Sequence, residues 1–123
     1  MLPAVLMTIV LALLAVFQLA LVAGAPWGRF AWGGKERVLS RNLRIGSVVS
    51  VAIYALIAVV ALDRAGVIDV LPDLVSRIAI WVVFGYFCLG IVLNGISRSR
   101  PERFTMTPVT LVLAVLSLLV ALG

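Results

Sequence analysis

Five polar side chains stand inside long apolar stretches of this chain, and they are the residues best suited to bind a ligand or a neighbouring helix. Each offers hydrogen-bond donors or acceptors, but none is a strong acid or base. All five fall within about five residues, or roughly 8 Å of helix, of an apolar stretch's end that adjoins a basic loop. The sequence therefore predicts an intramembrane polar layer made of Gln18, Ser47, Ser50, Asn94 and Thr110.

Arginines follow directly beyond this layer in the sequence. The candidates are Arg41, Arg44, Arg98 and Arg100. A guanidinium group binds phosphate or carboxylate through paired, charge-assisted hydrogen bonds. One hypothesis is therefore a cytoplasm-facing site for an anion or a lipid head group, with the polar layer at its top and the arginines at its mouth. The alternative is that the polar side chains only bridge packed helices by hydrogen bonds.

Residues suited to catalysis or metal binding are scarce. The chain has no histidine and a single cysteine, Cys88. Metal sites of the usual Cys/His kind need several such ligands, and proton-transfer catalysis needs a tunable acid or base within reach of a pocket. The sequence also places no carboxylate inside an apolar stretch. It therefore predicts no catalytic residue, no metal and no cofactor, and an enzyme is the least favoured function.

Four apolar stretches must position these residues, and they fill most of the chain. Of the 123 residues, 64% are hydrophobic and 12% are charged, whereas a soluble domain carries about 25% charged residues. As helices, stretches of roughly 20 residues cross a bilayer core of about 30 Å. We predict one all-α domain, 1–123, an up-down bundle of four transmembrane helices at roughly 2–23, 45–62, 78–96 and 107–122.

Positive charge is concentrated in alternate loops. The first loop (24–44) and the third loop (97–106) together hold eight Lys and Arg residues, whereas the middle loop (63–77) holds two. Loops rich in Lys and Arg stay in the cytoplasm. This asymmetry predicts that the first and third loops are cytoplasmic and that both termini lie outside.

Signals at the helix ends give further predictions. Ser40 or Asn42 can cap the second helix, and Thr107 followed by Pro108 is typical of a cap and first turn, here for the fourth helix.

The middle loop is acidic as well as poor in arginine. Asp73 and Arg77 have the i, i+4 spacing of an ion pair on a helix. Asp63 is predicted to pair with Arg64 or Arg77.

Three short patterns carry a resemblance to known sequences. Residues 24–34 contain GAPWG and WGG, residues 94–103 read NGISRSRPER, and residues 107–109 read TPV. Together they resemble a family of small uncharacterised four-span integral membrane proteins of GC-rich bacteria, and the resemblance covers most of the chain. It implies a bacterial membrane protein and no known activity.

Taken together, these features predict a small multi-pass protein of the inner (plasma) membrane. Four thin helices barely bury their own polar residues, which favours a non-catalytic accessory or structural subunit that self-associates or docks to another membrane protein. The alternative is an oligomeric transporter or channel for a small solute or lipid. The basic residues adjoin membrane spans, so we expect anionic phospholipids rather than nucleic acid as their partner.

Overall fold

The protein is an all-helical bundle. The computed structural model describes residues 1–123 and contains four long helices: α1 Leu2–Val22, α2 Arg41–Arg64, α3 Asp73–Gly95 and α4 Arg100–Leu122. Each is long and apolar enough to cross a membrane. The predicted all-α, four-helix architecture is confirmed, and the chain is a small multi-pass membrane protein.

The two ends of the bundle differ in charge. We call the end at which α1 and α3 finish and α2 and α4 begin the basic end, because eight of the ten Lys and Arg residues lie there. The remaining two, Arg64 and Arg77, lie at the opposite end. That the basic end faces the cytoplasm stays a prediction from the charge asymmetry.

The helices pack as two antiparallel hairpins. α1 pairs with α2 and α3 with α4, and the hairpins then meet less extensively along α1–α4 and α2–α3. One cluster of 12 buried apolar residues joins all four helices. It occupies the half of the bundle away from the basic end, which we call the apolar half, and its members are Ala4, Met7, Leu11, Ile57, Val60, Ala61, Ile80, Val83, Phe87, Leu113, Ala114 and Val120.

Most large apolar side chains point outward rather than into this core. Leu13 is 67% exposed, Leu56 63% and Val82 66%, and only 23 of 123 residues are buried. In water such continuous apolar surface would strongly favour aggregation. Lipid tails cover it without penalty, so the exposed surface independently agrees with a bilayer environment.

The start of α4 differs from the prediction. α4 begins at Arg100, with Ser99 at the N-cap position and Pro101 in the first turn, where a missing N–H removes no helical hydrogen bond. Pro108 lies inside the helix, and the hydroxyl of Thr107 is buried without a hydrogen-bond partner. The predicted cap and first turn at Thr107 and Pro108 are therefore wrong, because Pro101 provides the same start signal earlier in the chain.

α2 and α3 also begin before their apolar stretches, because charged turns continue these helices beyond the hydrocarbon, whereas α1 begins at Leu2 as predicted. Ser40 stands at the N-cap of α2, as predicted, but its hydroxyl makes no capping hydrogen bond. Instead its backbone N–H donates to Glu36 Oε2 at 3.1 Å.

The short connection between α2 and α3 is organised by two aspartates. Asp73 pairs with Arg77 at 2.6 Å, which confirms the predicted i, i+4 pair, and also with Arg64 at 2.9 Å. Asp63 Oδ2 instead accepts the backbone N–H groups of Val70 and Leu71, each at 2.8 Å. The ion pair predicted for Asp63 is therefore wrong, because Arg64 and Arg77 both pair with Asp73.

The connection between α1 and α2, residues 23–40, folds back against α4. We call it loop one; it contains two single-turn 3-10 helices, Gly28–Phe30 and Trp32–Gly34. Gly28 donates its N–H to the carbonyl oxygen of Arg37 at 2.8 Å and closes the loop. A Cβ atom on Gly28 would lie 1.7 Å from the carbonyl oxygen of Glu36, so only glycine fits there.

Replacing Gly28 should undock loop one. In Gly28→Ala the loop must open to accommodate the added methyl group, and a loss of about 1.4 kcal/mol corresponds to a tenfold change in the closed population. We expect trypsin to cleave after Lys35 or Arg37 about tenfold faster than in the unmodified protein in mild detergent.

Gly85→Ala is the matched control, because a Cβ atom there meets nothing within 4 Å. It should leave the cleavage rate unchanged. Equal rates for Gly28→Ala and the unmodified protein would contradict the closed loop.

Candidate functional site

A cavity of about 190 Å³ lies at the basic end, lined by residues of all four helices and of loop one. A water molecule needs roughly 10–15 Å³ of such space, so the cavity can hold several waters or a ligand of several heavy atoms. About half of its lining is polar, which distinguishes it from the apolar half of the bundle. Its polar lining consists of Gln18, Trp32, Ser50, Tyr54, Asn94, Glu102 and Thr110.

Four of the five residues of the predicted polar layer line this cavity. The structure brings together Gln18, Ser50, Asn94 and Thr110, one from each helix. Ser47 is fully buried and does not line it.

Two hydrogen bonds in this layer cross between helices, one within each hairpin. Asn94 Nδ2 donates to Thr110 Oγ1 at 2.8 Å and joins α3 to α4. Gln18 Nε2 donates to the Tyr54 hydroxyl at 3.2 Å and joins α1 to α2. Ser50 bonds only to the carbonyl oxygen of Gly46 in its own helix. These bonds stabilise each hairpin at the depth where the apolar core ends.

One polar atom of Gln18 has no hydrogen-bond partner. The Gln18 side chain is 8% exposed, and its Oε1 is buried with no hydrogen-bond partner. Buried acceptors are almost always paired, because an unpaired one loses its bond to water and gains nothing. Gln18 also lines the cavity, so a small rotation of its side chain would let a ligand or water in the cavity donate this missing hydrogen bond.

Loop one covers the cavity and is held by side chains of α2 and α4. Trp32 Nε1 donates to Ser47 Oγ at 3.2 Å, so Ser47 anchors the loop. The Gly33 N–H donates to Glu102 Oε2 at 3.3 Å. Ser99 also donates a short hydrogen bond to the carbonyl oxygen of Arg29.

The backbone of this covering segment is strained. Trp32 has φ of 52°, in the left-handed region that side chains other than glycine rarely adopt, followed by Gly33 at 77° and Gly34 at 71°. The Trp32 ring lies against Gly46, where an added Cβ atom would come within 3.0 Å of the ring. Such strain persists only where surrounding contacts enforce it, and here those contacts place the indole on the cavity wall.

Glu102 is the residue that sequence reasoning missed. It was assigned to the third loop, but it lies in the first turn of α4, is only 7% exposed and lines the cavity. It belongs to neither salt bridge of the structure, and the bond from Gly33 is its only hydrogen bond. The signal that could have found it is Pro101 followed by an acid, a combination typical of a first helical turn.

The four candidate arginines do not line the cavity. Arg41, Arg98 and Arg100 are exposed at the basic end. Arg44 is half-buried and donates to the carbonyl oxygens of Leu39 at 2.8 Å and Val22 at 3.4 Å. It therefore holds the last turn of α1, a favourable place for a cation.

Three further hydroxyl groups within the helices are satisfied locally. Thr8, Ser76 and Ser117 donate to carbonyl oxygens of their own helices. Cys88 is half-buried in α3, and no group of three or more Cys, Asp or Glu side chains is close enough to hold a metal ion. Among the residues that line the cavity, Gln18 is thus the one with a buried polar atom that lacks a partner, and Glu102 is the one with a carboxylate that lacks an ion pair.

Comparison of the chain with protein-family models, with curated proteins and with solved structures gives no match. The candidate site therefore rests on the geometry of this chain alone.

Proposed function

We propose that this multi-pass membrane protein binds a small polar solute in the cavity at its basic end, as the binding step of a transporter or channel. One observation carries the proposal: the cavity is lined by Glu102, a largely buried carboxylate with no ion pair, and by Gln18, whose side-chain oxygen is buried with no partner. A carboxylate that is only 7% exposed and has no cationic partner is costly to bury, because it gives up its water and gains a single hydrogen bond in return.

Helix packing alone does not account for these two groups. The Asn94–Thr110 bond is a satisfied pair of the kind that joins helices. Gln18 Oε1, by contrast, is buried with no partner, and Glu102 is largely buried with one hydrogen bond and no ion pair, so both reduce stability where they stand. A bound solute that supplies the missing partners removes this penalty.

The apolar half of the bundle closes the cavity away from the basic end. Met7, Ile80 and Leu113 are buried there in one continuous apolar cluster. Passage of a solute therefore requires this half to open. The boundary between the two hairpins is its weakest plane, because the helices contact each other less extensively across it than within a hairpin.

An accessory or structural subunit of the inner membrane is the second candidate function. The dry apolar half of the core and the wide apolar surface favour it, since both suit docking to a second copy or to another membrane protein. The exposed arginines of the basic end favour anionic phospholipids as partners in either case, because none of them forms an ion pair within the chain.

Water access to the cavity tests the first proposal. In a background with Cys88→Ala, we expect the thiol of Ser50→Cys to react with a membrane-impermeant methanethiosulfonate reagent added at the basic end. The rate should be about tenfold or more above that of a dry thiol, because the reaction needs a solvated thiolate.

Ser117→Cys is the matched control, since it makes the same substitution at a fully buried position of the apolar half. It should stay unlabelled. If both cysteines react equally slowly, the cavity is dry and the accessory role is favoured instead.

Anionic lipid binding is tested by removing three exposed arginines together. The triple variant carries Arg41→Ala, Arg98→Ala and Arg100→Ala. Its affinity for phosphatidylglycerol should fall by about 1 kcal/mol for each arginine removed. Native mass spectrometry from mild detergent measures the retained lipid. The same spectra show whether the 13.1 kDa chain forms oligomers.

Arg77→Ala, which removes an exposed arginine from the opposite end, is the comparison. It should retain phosphatidylglycerol as the unmodified protein does. Undiminished retention in the triple variant would rule out these arginines as head-group contacts.

A further inference from the structure

We infer that the solute held in this cavity is a small organic cation, an alkylated ammonium ion, that binds between the Glu102 carboxylate and the rings of Trp32 and Tyr54. The inference rests on the proposed solute-binding function and specifies the chemical class of the ligand. The charge of this ligand is opposite to that of the anion or lipid head group that the arginines in the sequence predict.

The charge of the cavity wall sets the charge of the ligand. Glu102 is the only charged side chain that lines the cavity, and neither an arginine nor a lysine faces it. An ionised carboxylate has about four acceptor positions on its two oxygens. One is used by the Gly33 N–H at 3.3 Å, so most of its capacity remains for a cation.

The aromatic lining favours an organic cation over a metal ion. Trp32 and Tyr54 line the cavity on the side of α2, and the face of an aromatic ring attracts alkylammonium groups. Hard metal ions instead need several oxygen ligands to replace their water, which rings do not supply. Phe30 also lines the cavity, but its ring already carries the guanidinium of Arg29 at 5.0 Å.

The part of the cavity lined by the Gln18 side chain suits the uncharged part of such a ligand. Gln18 lines the cavity, and its Oε1 is buried and lacks a donor. A hydroxyl or N–H group on the ligand would satisfy it. The cavity is thus lined by one carboxylate, by the aromatic residues Trp32 and Tyr54, and by Gln18 with its unpaired acceptor, a set that matches an ammonium ion carrying a hydrogen-bond donor.

The surrounding arginines do not cancel this selectivity. Arg29 and Arg100 are exposed, and Arg103 lies over the ring of Phe104 at 4.9 Å. Exposed charges are screened by water and salt within about 8 Å at physiological ionic strength. Glu102 is 7% exposed, so its field acts inside the cavity with far less screening.

The experiment compares choline with 3,3-dimethylbutan-1-ol, a neutral molecule of nearly the same shape and with the same hydroxyl group. Trp27→Phe and Trp81→Phe leave Trp32 as the single tryptophan, so its fluorescence reports on the cavity. We expect choline to change the emission saturably and to bind about tenfold or more tightly than the alcohol, because only choline offers a charge.

Glu102→Gln in the same background keeps an oxygen for the Gly33 N–H but removes the charge. Choline affinity should fall about tenfold while that of the alcohol stays unchanged. The comparison of choline with the alcohol needs no change at Glu102, so it stands even if the variant folds poorly.

Equal affinities for choline and the alcohol, tighter binding of sodium acetate than of choline, or no binding of any of the three would overturn the cation assignment. If Ser50→Cys is nevertheless labelled, the solute-binding cavity stands and only the ligand class is wrong. If Ser50→Cys is not labelled and choline does not bind, both proposals fall.

Discussion

Lipid tails offer no hydrogen bond, so every polar group that enters the bilayer must find its partner within the protein or in enclosed water. In this bundle the constraint is met in two ways. The apolar half holds only hydroxyl groups that bond to their own helices, as Ser117 does to Ala114. The polar residues that cannot be satisfied in that way are collected at one depth, near the basic end, where hydrogen bonds cross within each hairpin.

Loop one adds a wall to this polar layer, since Phe30, Ala31 and Trp32 line the cavity together with residues of the four helices. Its strained Trp32–Gly34 turn is held by Ser47 on α2 and by Glu102 on α4, so the segment that covers the cavity is fastened to both hairpins. A change in the distance between the hairpins would therefore strain one or both of these hydrogen bonds.

The charged residues outside the hydrocarbon have different bonding partners at the two ends of the bundle. At the opposite end, Asp73 pairs with Arg64 and Arg77, and Asp63 fixes the short turn before α3. At the basic end, Arg44 instead bonds to backbone carbonyls of α1 and loop one. Exposed arginines surround it without ion pairs, in the region where phospholipid phosphates would lie.

The sequence by itself determined the four spans, because hydropathy and helical rise depend only on local composition. It also determined the depth of Gln18, Ser50, Asn94 and Thr110, since depth follows from counting residues along a helix. Only the tertiary structure decided where α4 begins, because Pro101 and Pro108 are both acceptable in a first turn. It also decided which side chains face inward: the rotation of each helix, set by packing against its neighbours, buried Glu102 and left Arg41, Arg98 and Arg100 outside.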